Sequence, residues 1–139
     1  MYKIWTVESS KSYIDELNKK TNYKIKENIE VKISKRLTKT LAYCKMNYNK
    51  MNILVPNKLV FSYYILNGYM PSSKVKDIIA HEFCHLYTDY NKKYTDGHGE
   101  NFIKNCKKLN CNSNKYCDEI CEKYFNKSLL KNGKIKKKE

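Results

Sequence analysis

The chain has 139 residues, 41% hydrophobic and 30% charged, and its 28 basic against 14 acidic side chains give a formal net charge of +14. That length suits one domain with a modest core. No apolar run approaches the roughly 18 residues of a membrane span, and the opening MYKIWTVESSKSY lacks the apolar core of a signal peptide, so the sequence predicts an intracellular, cytoplasmic protein with no membrane association. The charge invites a polyanionic partner, with DNA the first expectation. Arg36 is the only arginine, however, and the chain is also rich in Asn, Tyr and Ile, the mixture an AT-rich genome writes by default.

Residues 8–20, ESSKSYIDELNKK, read as a helix, with Ser9 or Ser10 as cap and Tyr13, Ile14 and Leu17 as its apolar stripe. IEVKISKRL, 29–37, alternates apolar and charged residues as a half-buried strand does. KTLAYCKMN, 39–47, and MNILV, 51–55, are two further strands, with a turn at 47–50 between them. Three sequential strands on short links predict an antiparallel three-stranded meander. Pro56 then opens a short helix that ends near Asn67 and Gly68.

A long helix follows, capped by Ser72 or Ser73 and running to about Tyr90. A loop at 91–99 leads to a helix over 100–109, and a last helix starts near Asn112 and Ser113. From 127 onward the sequence is a basic tail, so the domain is expected to span 1–126 and the tail 127–139. The expected class is α+β.

All three histidines fall within residues 81–98. His81 and His85, four apart, stand on one face of the long helix, the geometry by which one helix gives a metal two imidazoles. They continue the apolar stripe of Val75, Ile78 and Ile79, so they point inward, and Glu82 points inward beside them. A carboxylate in a core costs stability unless it is paired or working. The pattern H-E-x-x-H gives it work, as the base that takes a proton from a water activated by Zn2+. A catalytic zinc needs a third protein ligand and an open position. His98 is the obvious third, and Gly97 and Gly99 beside it give the backbone freedom to crowd the metal. The bland alternative is an accidental five-residue match on a core helix.

The six cysteines are expected as reduced thiols in a cytosolic setting. Their spacing forms no paired C-x-x-C knuckles, so a zinc ribbon is not supported. Cys117 and Cys121 are four apart on a predicted helix and offer a second metal site with Cys106 or Cys111; buried core thiols are the plainer reading. Cys84 is displaced around its helix from both histidines and reads as core packing. Tyr87, Tyr90 and Tyr94 lie near the histidines in sequence, and a tyrosine hydroxyl can stabilise an oxyanion.

The stretch IIAHEFCHLYTDYNKKYTDGHGENFIKNCKKLN resembles the SprT-like metallopeptidases, the family of bacterial SprT and eukaryotic Spartan. DGHGENF, Asp96 to Phe102, matches the second half of that family's signature, and a looser likeness runs over residues 10–110. The resemblance implies a zincin-like fold, a small sheet packed on the active-site helix. It also implies His81, His85 and His98 as zinc ligands, Glu82 as catalytic base, and a protein substrate. Spartan cleaves proteins crosslinked to DNA, so action on DNA-associated proteins is a further expectation, although the zinc ribbon of many members is missing here. Two alternatives stay open: a nucleic-acid-binding protein with a non-catalytic zinc, and a zinc hydrolase acting on another bond.

Overall fold

The computed structural model describes residues 2–37 and 41–113. Helix α1 spans Val7–Lys20 and begins at Thr6 rather than at the serines expected to cap it. The Thr6 side chain accepts from the Ser9 N–H at 3.1 Å, and the Ser9 hydroxyl accepts from the Thr6 N–H at 2.8 Å. This is a capping box, which satisfies two donors that the first helical turn leaves open. Its apolar face buries Ile14 and Leu17 as the sequence pattern predicts, with Ser10 alongside.

Strand β1 is Glu30–Ser34, β2 is Ala42–Tyr48 and β3 is Leu54–Ser62. The sheet order is β1-β3-β2, with β3 parallel to β1 and antiparallel to β2. The sheet is therefore mixed and not the antiparallel meander expected. The hairpin joining β2 to β3 turns at Asn49, whose side-chain oxygen accepts from the N–H groups of Met51 and Ile53, the local bonding that makes Asn a turn residue.

Pro56 was expected to start a helix, yet it lies inside the central strand. Its missing N–H is tolerated for two reasons. The pairing with β1 begins only at Lys58, so one side of the strand is unpartnered at Pro56. On the other side Lys45 pairs with Lys58 and Met46 with Pro56, a bulge that leaves Asn57 over. The apolar run that follows, Leu59 to Phe61, is a buried strand, and only Tyr63–Leu66 forms the short helix α2.

Helix α3, Ser72–Asp89, is the centre of the molecule and packs against α1, α4, β2 and β3. From Val75 on nearly every residue is buried, as in a helix enclosed on all sides. Pro71 takes its cap position, and the Ser72 hydroxyl instead accepts from the Trp5 indole N–H at 3.3 Å. Helix α4 spans Glu100–Leu109, as the sequence predicts, and rests on α3. Phe61, Phe83 and Phe102 are each fully buried, a contribution of about 1.5–3 kcal/mol apiece from apolar area removed from water. The helix expected after Asn112, the tail from 127, and Cys117 and Cys121 lie outside the described residues. Among the described residues, no helix is long and apolar enough to cross a membrane.

Candidate metal centre

Helix geometry divides the buried surface of α3 into three functional faces. His81, His85 and Asp89 follow one another at intervals of four, with Glu82 on the flank of that row. Phe83 and Tyr87 lie opposite, and Cys84 and Thr88 turn toward α4. The row of histidines faces the loop that returns from the end of α3, and that loop supplies His98.

The three imidazoles converge. Ring centroids are 5.1 Å apart for His81 and His85, 5.4 Å for His81 and His98, and 4.9 Å for His85 and His98. A ligating nitrogen from each lies within 4.8 Å of the other two. The Nε2 atoms of His81 and His98 are 3.4 Å apart. Nitrogens bound tetrahedrally to zinc at about 2.0–2.1 Å stand roughly 3.3–3.4 Å apart, so this edge of the cluster already has the spacing of a metal site.

His81 is held for such a role. Its Nδ1–H donates to the Asn112 carbonyl at 2.7 Å, which fixes the tautomer and directs the Nε2 lone pair toward His98. The Asn112 N–H in turn donates to Asp77 on the first part of α3 at 2.8 Å. Burial lowers the pKa of His81, and the Asn112 hydrogen bond opposes that shift. His85 is brought down to about 4, by burial first and then by repulsion from His81 and His98. Near neutral pH both therefore carry the free lone pair that a metal requires.

Phe102, in the first turn of α4, walls the cluster. Its ring stacks on His85 at 4.2 Å and meets His81 and His98 edge-on at 5.1 and 5.0 Å. One apolar ring thus packs against all three candidate ligands, of which His81 is buried, His85 half-buried and His98 exposed. The sequence gives Phe102 no role of its own; its place at the end of the DGHGENF stretch is the signal that marks it.

The His98 loop is built around Asp96. Its Oδ2 accepts from the Phe102 N–H at 2.8 Å and its carbonyl accepts from Gly99 at 3.0 Å. The Asp96 N–H donates to Asp89 Oδ1 at 2.9 Å. Because the cap position of α4 is Gly99, which has no side chain, the Asp96 carboxylate satisfies the third helical N–H and faces the positive end of the helix. The two glycines serve different needs. Gly97 has φ of +60°, where a side chain would be strained. Gly99 has ordinary extended φ, contrary to the freedom expected for both; here a Cβ would stand 2.8 Å from the Asp96 carbonyl oxygen.

A cleft of about 440 Å³ opens over this centre. Glu82, His85 and Asp89 line one side, Tyr43, Cys44 and Met46 of β2 the other, and Gly97 the rim. Glu82 is only 4% exposed, and its charge helps to raise the Cys44 pKa, after burial. Burial likewise raises Asp89, against the Asp96 hydrogen bond that lowers it. β2 is an outer strand of the sheet, so the cleft has a strand edge along its wall. The participation of β2 and of Asn112 carries no local sequence signal.

The tyrosines nearest in sequence are elsewhere. Tyr87 stacks on Phe83, and its hydroxyl accepts from Lys108. The Tyr90 hydroxyl accepts from the Lys26 N–H, and Tyr94 is 80% exposed. The tyrosines that line the cleft are Tyr43 and Tyr48, both from β2.

Against known families, the model described as the SprT-like family matches residues 10–122. A search of the curated proteins finds no match to the chain.

Proposed function

Because the chain belongs to the SprT-like family, we propose that it is a zinc-dependent metallopeptidase of zincin-like build, with His81, His85 and His98 as the zinc ligands and Glu82 as general base. The observation that carries this reading is the convergence of three imidazole nitrogens within 4.8 Å, with a buried glutamate on the same helix lining the cleft beside them. A closed structural zinc takes four protein ligands and has no use for that glutamate; three ligands and a cleft suit catalysis.

Zinc in this site supplies Lewis acidity, polarising a carbonyl oxygen and bringing the pKa of a water to about 7. Glu82 accepts a proton from the attacking water as the water oxygen bonds to the peptide carbonyl carbon. It then returns that proton to the departing nitrogen as the C–N bond breaks. One water is consumed, and one carboxyl and one amine are released. Phe102 and the apolar residues behind α3 close the buried side of the centre at His81, while the exposed His98 and the cleft leave the other side open to water and substrate. Among the described residues β2 has no neighbouring strand on its outer side, and that edge can pair with an extended substrate chain through backbone hydrogen bonds, an arrangement that suits a polypeptide better than a small ester or amide.

The net charge of +14 supports the further proposal that the substrates are proteins associated with DNA. The test is cleavage of a basic protein, and of the enzyme itself, with and without single-stranded DNA, comparing wild type with Glu82→Gln. The expected result is cleavage by the wild type that DNA quickens. Glu82→Gln should keep its zinc and lose at least about 100-fold in rate, the scale of general-base catalysis. Zinc-loaded wild type that cleaves nothing would leave a nucleic-acid-binding protein with a non-catalytic zinc, or a zinc hydrolase acting on another bond. Cleavage indifferent to DNA and to salt would remove the DNA proposal alone.

A further inference from the structure

Behind the histidine centre lies a second convergence. Cys84 on α3, Cys106 on α4 and Cys111 just beyond α4 bring their Sγ atoms within 4.8 Å of one another. Cys84 and Cys106 are fully buried with their sulfurs 3.4 Å apart, Cys111 is half-buried, and all three are free thiols. The three come from separate segments, and a specific turn assembles them. Asn110 takes the left-handed conformation at the end of α4, and the Cys111 N–H donates to the Cys106 carbonyl at 2.9 Å. That six-residue closure folds Cys111 back over Cys106, while the packing of α4 on α3 sets Cys84 against both. The sequence offers Cys117 and Cys121 with Cys106 or Cys111 as a second metal site; Cys117 and Cys121 lie outside the described residues, and among the described residues Cys84 joins Cys106 and Cys111.

We propose that Cys84, Cys106 and Cys111 form a second, three-thiolate metal site for a soft ion such as zinc, distinct from the histidine centre, with a non-protein ligand at the half-buried Cys111 side completing the coordination. Sulfurs bound to zinc at about 2.3 Å stand roughly 3.8 Å apart. The observed 3.4 Å edge and the 4.8 Å limit bracket that spacing. Thiolate donors without imidazole or carboxylate select soft ions over magnesium or calcium. Half-burial of Cys111 gives an entry path that a sealed core triad would lack.

The site would have a structural consequence for the first one. It joins α3, α4 and the segment after α4 at one point, and the residue that follows Cys111 is Asn112, whose carbonyl holds His81. An ion there would fix α3 and α4 together and hold the partner of His81 in place. The inference does not rest on peptidase activity: a chain that cleaves nothing gives the same metal signature.

The experiment is metal content together with cobalt substitution. Wild type should bind roughly two zinc ions per chain, and its cobalt form should show the intense ultraviolet thiolate-to-cobalt charge-transfer absorption that a histidine-only site cannot give. His98→Ala should keep that absorption. Cys106→Ser with Cys111→Ser should lose it along with one zinc, retaining the weaker visible bands of the histidine centre. Should the double variant fail to fold, Cys111→Ser alone, at the half-buried position, should lower the absorption by about a third or more, one thiolate of the three being lost. Wild-type cobalt protein without thiolate absorption would overturn the proposal. So would three thiols that react with a disulfide reagent equally fast whether or not zinc is present.

Discussion

Asp96 offers the sharpest test of how the His98 loop is held. Its carboxylate accepts from the Phe102 N–H at 2.8 Å, standing in for the side chain that Gly99 lacks at the cap of α4. Removing a capping side chain costs about 0.5–2 kcal/mol, and a carboxylate at a helix N-terminus adds about 0.3–1 kcal/mol of charge–dipole attraction. Asp96→Asn keeps an acceptor and loses only the charge, so it should cost up to about 1 kcal/mol. Asp96→Ala loses both, for a total of roughly 1–3 kcal/mol. At about 3–6 °C per kcal/mol for a chain of this size, the alanine variant should melt roughly 3–18 °C lower.

The same bonds position His98, two residues on, and they pin Phe102, which walls all three imidazoles. Part of the lost energy must therefore be spent again when metal orders the loop. About 1.4 kcal/mol of it corresponds to a tenfold weaker site. Thermal melting of chelator-treated protein and competitive zinc titration read the two effects separately. Zinc affinity equal to wild type in the alanine variant, despite a lowered melting point, would refute the claim that this cap positions the ligand. A fully stable alanine variant would refute the cap itself.

Two other consequences are open to direct measurement. Asp77→Ala removes the acceptor for the Asn112 N–H and so loosens the carbonyl that orients His81; the His81 bond itself remains, so zinc affinity should fall by up to about 10-fold, the low end of the cost of losing a ligand's supporting bond, while Lys76→Ala beside it leaves affinity unchanged. In metal-free protein, His85 binds its proton near pH 4 when folded but at 6.5 when unfolded. As the pH falls from 6.5 toward 4 the unfolded chain takes up a proton that the folded chain refuses, so stability should drop, by at most about 3 kcal/mol. Urea unfolding across that range should show the slope, and His85→Gln should flatten it; an equal slope in both proteins would assign the effect to other groups.

What the sequence by itself determined is what short-range geometry can carry. An α-helix repeats every 3.6 residues, so the spacing of His81, Glu82 and His85 against Val75 and Ile78 sets which way they point without knowledge of the partner. Gly97 and Gly99 mark the tight loop around His98, and α4 was legible from its own pattern.

What only the tertiary structure decided depends on partners distant in the chain. Pro56 reads locally as a helix start, and it is the pairing of β1 and β2 with β3, including a bulge, that makes it part of a central strand. The parallel pairing of β1 with β3 and the edge position of β2 over the histidines follow from how the sheet packs on α3. The Asn112 carbonyl on His81 and the meeting of Cys84 with Cys106 and Cys111 join residues more than twenty positions apart. Periodicity tells each side chain which face it occupies; the backbone contains no local record of what will be packed against that face.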